Sequence, residues 1–285
     1  MTRPPRIARP LGTMIAYGFP RGDVGVDLEL ATRMGASLVE VLPDWPALPD
    51  PIALRRRVAD HGLAVHSAHG CWGGRSIAAR RVDLGSLDPA TRRESVDDIR
   101  RCVDWLAEAG GACLVVHPGG LSDPADAPAR RVALGDSLRE LAGPAEAVGV
   151  VLCVENMPPG VHPGSRMADL AALVAELDLA SVGLALDTGH AHLGLSTAVE
   201  TRAAGRLLRT THVHDNHGRQ DLHLLPGLGT IDWPDWVAAL DEVEYAGPLI
   251  LECIRYIRDD PDCLTPGSLA LLSALSGNAE PPPAG

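Results

Sequence analysis

The chain alternates short apolar runs with longer amphipathic runs, and this alternation restricts the fold more than any other feature. Strands are predicted at 11–17, 37–41, 63–67, 112–117, 150–155, 181–187, 210–214 and 249–252. Helices are predicted at 26–34, 52–60, 91–109, 129–147, 167–177, 197–208 and 233–243. Roughly eight strand–helix units in one chain predict a single-domain α/β (βα)8 TIM barrel. A doubly wound open sheet is the alternative.

The predicted barrel spans residues 11–277, because no linker or shift in composition divides that stretch. Residues 1–10 precede the first strand as an N-terminal extension. Residues 278–285 contain three consecutive prolines and are predicted to form a disordered tail. Within the barrel, Gly143-Pro144 is expected to break or kink the helix at 129–147, since proline removes a backbone donor.

Charge and composition narrow the classes of partner. The net charge of -12 argues against a nucleic-acid or anionic-membrane partner, which would need clustered cations, and favours a small-molecule substrate. All 25 basic residues are arginine, which excludes a lysine Schiff base. Six scattered cysteines without a C-x-x-C pair predict a reduced, cytoplasmic protein. No apolar run is long enough to cross a membrane, and nothing in the sequence indicates an oligomeric state.

Metal-binding side chains stand at the ends of six predicted strands. They are His69, His117, Glu155, Asp187, His212 and Glu252. The carboxyl ends of barrel strands meet at one mouth, so these side chains are expected to converge. A single histidine after a strand is more often a hydrogen-bonded loop residue. Six in phase favour a shared divalent metal.

The stretch 211–223 adds further candidates. His214 lies two residues after His212 and shares its strand face, and Asp221 and His223 repeat that spacing. A polar surface loop with one or two hydrogen-bonded histidines is the alternative, and this stretch alone favours a metal site only modestly. His214 is expected either to contact substrate or to support a ligand. Arg219 is expected either to clamp a phosphate or to pair with an acid.

Several motifs together resemble one family. They are His117-Pro-Gly, Val154-Glu-Asn156, Asp187-Thr-Gly-His190, His212-Val-His-Asp215, Asp221-Leu-His223 with Pro226-Gly-Leu-Gly229, and Leu249-Ile-Leu-Glu252. This ordered set resembles the xylose isomerase-like barrel superfamily, which contains endonuclease IV and the sugar (phosphate) isomerases and epimerases. The resemblance covers about residues 60–255 and implies a metal-dependent barrel enzyme.

The resemblance to endonuclease IV implies nine ligands and up to three metal ions. His69 and His117 would hold the first ion, with Glu155 bridging to a second that Asp187, His212 and Glu252 complete. His190, Asp221 and His223 would hold the third. Mixed imidazole and carboxylate ligands suit zinc, with manganese possible, and no organic cofactor is implied.

Two functions follow from the resemblance. The main hypothesis is a phosphohydrolase of a small phosphorylated metabolite, such as a sugar or nucleoside phosphate, in which the metals activate water. The alternative is a one-metal sugar or sugar-phosphate isomerase or epimerase with Glu155 and Glu252 as its acid and base. Asp221 and His223 favour the hydrolase, whereas Arg219 is consistent with the isomerase. A catalytically silent barrel that binds damaged nucleic acid or a partner is the third hypothesis, and the acidic charge argues against it.

Overall fold

The computed structural model describes residues 7–20, 22–72 and 81–277, and this part of the chain folds as a barrel of eight strands. The strands are β1 (Leu11–Tyr17), β2 (Leu38–Pro43), β3 (Ala64–His69), β4 (Cys113–Val116), β5 (Val151–Glu155), β6 (Val182–Asp187), β7 (Leu208–Val213) and β8 (Leu249–Leu251). The helices are α1 (Val24–Arg33), α2 (Pro51–Asp60), α3 (Pro89–Ala109), α4 (Ala127–Ala147), α5 (Met167–Leu177), α6 (Thr188–Gly194), α7 (Thr197–Ala204), α8 (Trp233–Glu242), α9 (Ile254–Asp259) and α10 (Pro266–Leu275).

The strands close into a ring in chain order. Each strand pairs in parallel with the next, and β1 pairs with β8 through the register Leu11 to Leu249. The predicted (βα)8 barrel is therefore confirmed, and the open-sheet alternative is wrong. Parallel pairing points all eight carboxyl ends to the same mouth.

Aspartate caps and first-turn prolines start α2, α3 and α8. The Asp50 and Asp88 side chains accept hydrogen bonds from first-turn backbone N–H groups of α2 and α3. A proline follows each cap, where its missing N–H has no helical partner to lose. These local signals place the helices where the apolar period predicts them.

Three features differ from the sequence prediction. Helix α4 continues to Ala147 with Pro144 inside it, so the helix does not break there, and a kink at Gly143-Pro144 stays a prediction. Pro144 lies in the last turn, where its missing N–H removes only one hydrogen bond. Helix α6, which Asp187 caps, and helix α9 were not predicted because they are short, with 7 and 6 residues. Helix α10 was also missed, although its 10 residues make it as long as α1.

Apolar side chains from the strands and the surrounding helices form the core, and the polar residues buried with them concentrate at the carboxyl ends of the strands. Of the predicted N-terminal extension, residues 1–6 lie outside the described part, as does the whole predicted tail at 278–285. Among the described residues, no helix is both long enough and apolar enough to cross a bilayer.

Candidate metal centre

Atoms able to bind a metal lie within 4.8 Å of one another in three groups at the mouth of the barrel. The outer group contains His69, His117 and Glu155; the central group contains Glu155, Asp187, His212 and Glu252; the loop group contains His214, Asp221 and His223. Glu155 ends β5 and belongs to both the outer and the central group. Its position suits a carboxylate that bridges two ions.

The loop group differs in one member from the predicted third metal site. His190 is the predicted ligand that falls outside the three groups, and His214 takes the third place beside Asp221 and His223. His190 nevertheless remains close, because its Nε2 lies 3.3 Å from Oδ2 of Asp221. Nε2 of His214 lies 3.7 Å from Oδ1 of the same aspartate. The structure thus places both histidines against Asp221.

Backbone carbonyls orient three of the histidines. Nδ1 of His69 donates to the Gly70 carbonyl, and Nδ1 of His190 donates to the Asn156 carbonyl, both at 2.9 Å. Nδ1 of His223 donates to the Glu252 carbonyl at the same distance. Because a carbonyl only accepts, each Nδ1 must carry a proton. Nε2 is therefore the ring nitrogen through which each of these histidines, once unprotonated there, could bind a metal.

His212 is oriented by a carboxylate that the sequence analysis missed. Its Nε2 lies 2.7 Å from Oε1 of Glu40, and its Nδ1 lies 2.7 Å from Oε1 of Glu155. Glu40 stands inside β2 and is fully buried, and its Oε2 accepts a 2.6 Å hydrogen bond from Ser67. The missed signal was a single glutamate within the apolar strand Leu38–Pro43, because a buried carboxylate needs a partner.

The carboxylates dominate the electrostatics of the central group. Burial alone would lower the pKa of His212, but Glu40, Glu252 and Glu155 outweigh it and hold that pKa well above its usual value. Burial alone would raise the pKa of Glu155, but His212 and His117 hold it well below its usual range. Glu155 is therefore a carboxylate at neutral pH.

His117 of the outer group differs in charge from His190, which lies beside the loop group. Burial lowers the pKa of His117, and Glu155 only partly offsets this, so His117 is neutral and ready to bind a metal. Burial also disfavours the charged form of His190, but Asp187 and Asp221 outweigh it and raise its pKa to about 10. Without a metal, His190 therefore carries a proton that pairs with the carboxylates.

Two buried carboxylate oxygens without hydrogen bonds in the described part of the chain indicate that these residues suit a metal ion. Oε2 of Glu155 and Oε2 of Glu252 accept no hydrogen bond from any described residue. Yet Nε2 of His117 lies 3.0 Å from the first, and Nδ1 of His212 lies 3.0 Å from the second. Ligands about 2.0–2.2 Å from one zinc ion also lie roughly 3 Å apart without pointing at each other. The arrangement and the donor types therefore fit a divalent metal.

His214 packs behind a predicted ligand. It is fully buried, and its Nε2 lies 3.0 Å from both carboxylate oxygens of Asp187. A Cβ on Gly189 would lie 2.0 Å from Cε1 of His214, so only glycine permits this contact. Of the two expected roles, the contact with Asp187 matches support of a ligand.

Asp215 holds the loop that carries Asp221 and His223. Its carboxylate accepts hydrogen bonds from the backbone N–H of Gly227 and Ile231 and from the Trp233 indole, at 2.9 to 3.2 Å. Its backbone pairs with Leu224 in an isolated antiparallel bridge. These bonds return the loop to the mouth immediately after His223.

Arg219 lies apart from the three groups. It is exposed, and it lines a cavity of about 610 Å³ with His217, Gln220 and Leu222. A second cavity of about 470 Å³ adjoins the metal-binding side chains. It is lined by Met14, Leu42, Asp221, Leu222, His223, Glu252, Ile254, Arg255, Tyr256 and Asp259. Leu222 borders both cavities, so Arg219 stands beyond the wall of the second one.

Sequence comparison relates the chain to enzymes with two chemistries. Residues 28–275 match the family described as xylose isomerase-like TIM barrel. A ketose 3-epimerase of Arthrobacter globiformis is 28% identical over 248 residues, which cover 82% of this chain and 78% of that protein. A probable endonuclease 4 of Solibacter usitatus is 28% identical over 224 residues, covering 70% and 73%. An uncharacterized protein of Methanocaldococcus jannaschii is 28% identical, and the match spans 62% of each chain.

Solved structures share the fold at lower sequence identity. A D-tagatose 3-epimerase-like protein superposes with a TM-score of 0.74 at 20% identity, covering 92% of this chain and 98% of that one. A D-psicose 3-epimerase studied in the presence of D-fructose gives 0.72 at 20% identity, covering 94% and 99%. Because the family match covers nearly all of the described barrel, this chain belongs to the xylose isomerase-like TIM barrel family.

Proposed function

We propose that the protein is a metal-dependent isomerase or epimerase of a small sugar, with Glu155 and Glu252 as its acid and base. One observation carries the proposal: these glutamates approach Nδ1 of His212 from β5 and from the end of β8, at 2.7 and 3.0 Å. Each also keeps a buried oxygen that no described residue satisfies. The relatives with named activities include three sugar 3-epimerases, which favours this function over the hydrolase preferred from sequence.

The chemistry requires a proton to leave and return next to a sugar carbonyl. A divalent metal held by Glu155, Asp187, His212 and Glu252 would polarise the carbonyl and hydroxyl oxygens. Glu155, ionised at neutral pH, can accept a proton from carbon on one side of the substrate. Glu252, across His212, is placed to deliver a proton on the other side. Transfer between opposite sides inverts that carbon.

The second cavity would hold the rest of the substrate. Its volume of about 470 Å³ suits a small sugar, and Glu252 forms part of its wall. If the substrate carries the predicted phosphate, the exposed Arg255 in this cavity or Arg219 beyond Leu222 would contact it. A small phosphorylated substrate and a cytoplasmic location remain predictions.

Proton exchange tests the proposal directly. Metal-loaded protein would be incubated in deuterated water with a panel of ketoses and ketose phosphates, and the products analysed by NMR. We expect interconversion of epimers with deuterium at the carbon next to the carbonyl. Glu252→Gln should abolish both signals, whereas Glu108→Gln, which changes an exposed glutamate, should retain them. Absence of exchange and of products across the panel would contradict the proposal.

Phosphoester hydrolysis is the second candidate, and the additional ligand groups favour it. A single metal at the central group leaves the outer group's histidines and the whole loop group without a metal to bind. Metal analysis of purified protein separates the candidates: close to three ions per chain supports hydrolysis, and one tightly bound ion supports isomerisation. Release of inorganic phosphate from sugar or nucleoside phosphates, without epimerisation, would favour the hydrolase.

A further inference from the structure

The partner of His212 differs in kind from those of the other oriented histidines. His69, His190 and His223 each donate to a neutral backbone carbonyl. His212 instead places Nε2 against the carboxylate of Glu40, at 2.7 Å. A carboxylate accepts a stronger hydrogen bond than a carbonyl and increases the basicity of the imidazole.

The burial of Glu40 points to a role inside the barrel. Its side chain is fully inside the barrel, and its two oxygens accept from His212 and from Ser67. Both partners are fully buried as well, so Glu40 makes these contacts away from the protein surface. Burying a carboxylate costs free energy, so a protein retains one where it serves a neighbouring group. The neighbour that Glu40 can serve is His212, the histidine of the central group.

We propose that Glu40 is a positioning residue that fixes His212 with Nδ1 toward the central group and makes that group the tightest of the three metal positions. The inference rests on the metal binding assumed in the proposed function. An ionised Glu40 cannot donate, so Nε2 of His212 keeps its proton and Nδ1 presents its lone pair. In the outer and loop groups, Nδ1 of His69 and Nδ1 of His223 donate to a neutral backbone carbonyl instead.

Metal titration tests this ranking. Zn²⁺ would be added to metal-free protein in competition with a chelating indicator, and stepwise dissociation constants determined. In Glu40→Gln the side chain keeps its size and can still accept from Nε2, but it loses the charge. We expect the tightest constant to weaken about 10- to 100-fold and the weaker constants to stay unchanged. In Ser67→Ala, which removes only the other hydrogen bond of Glu40, we expect a smaller change.

A second measurement does not depend on the Glu40 variant folding. His69→Ala and His223→Ala each remove a ligand from an outlying group, so the tightest constant should survive in both. In addition, ¹H–¹⁵N spectra of the metal-loaded wild type should show His212 protonated at Nε2. Loss of the tightest constant in His69→Ala or His223→Ala, or a proton on Nδ1 of His212, would overturn the inference.

The two proposals can fail separately. If the wild type binds no divalent metal, the proposed function fails. If it binds metal tightly and Glu40→Gln leaves every constant unchanged, only the role of Glu40 is refuted.

Discussion

Buried charge is handled differently at the mouth of the barrel and in its outer wall. In the wall, Arg130 donates two hydrogen bonds to Asp83, and Arg258 forms ion pairs with the fully buried Asp27. At the mouth, among the residues that the structure describes, five carboxylates form ion pairs only with histidines. They are Glu40, Glu155, Asp187, Asp221 and Glu252. The wall carboxylates pair with arginines, which are always charged, whereas the mouth carboxylates pair with histidines, which can exchange their protons for a metal ion.

The largest expected effect comes from neutralising a mouth carboxylate. Glu252→Gln should lower turnover by about 10²- to 10⁴-fold, because it removes one member of the acid–base pair. The same change should stabilise the metal-free protein, since it removes one of the excess negative charges. Initial rates and thermal unfolding with and without metal measure both effects. If the metal-free variant were less stable than metal-free wild type, the mouth would not carry the excess negative charge that distinguishes it from the wall.

The wall should respond in the opposite way. Arg130→Met removes the guanidinium that donates two hydrogen bonds to the buried Asp83 and leaves only the longer ion pair with Arg81, at 3.5 Å. It should cost about 3 kcal/mol of unfolding free energy. Metal affinity should not change. Arg139→Met, which breaks an exposed pair with Asp136, is the matched control and should cost about 0–1 kcal/mol. Denaturant titration measures the costs, and reduced metal affinity in Arg130→Met would contradict the separation of the two regions.

A smaller effect is expected from pH. Carboxylates outweigh burial and raise the pKa of His190 and of His223 to about 10 in the metal-free protein. In the unfolded chain the pKa of histidine is about 6.5. Because the folded-state pKa is higher, the two histidines stabilise the fold fully below about pH 6.5, and this stabilisation is lost as the pH rises through about 10. The metal-free protein should therefore melt several degrees lower at pH 9.5 than at pH 6.5.

Metal-loaded protein should show less of this pH dependence, because a metal would replace the protons at the mouth. Asp221→Asn should also reduce it, since Asp221 pairs with both histidines. Calorimetry at both pH values checks the sign. Melting temperatures of metal-free wild type that rise toward pH 9.5 would be incompatible with the imidazolium–carboxylate pairs.

The smallest effect is expected at Arg219. This residue is exposed and outside the three ligand groups, so Arg219→Ala should leave metal affinity unchanged. If it contacts a substrate phosphate, KM for a ketose phosphate should rise a few-fold while KM for the matching ketose stays constant. A large fall in kcat with both substrates would instead assign Arg219 to the acid–base chemistry.

The sequence predicted the barrel and which side chains lie together at its mouth because one geometric rule covers both. Parallel strands point their carboxyl ends to one mouth, so residues such as Glu155 and Asp187 could be assigned from strand ends alone. Glu40 was not predicted as a site residue because it lies within β2, and the rule applies only to the ends of strands. The closeness of His214 to Asp221 depends on how the loop after β7 folds back through Asp215, which periodicity does not encode.

The pairing of β1 with β8 also determines at what stage of folding the site can form. Glu40 enters the site from the second strand and Glu252 from the end of the eighth, so residues far apart in the chain meet only after the ring has closed. A chain still lacking its eighth strand would have no complete central group. Uptake of a coloured ion such as Co²⁺ during refolding would therefore report how many molecules have finished assembling.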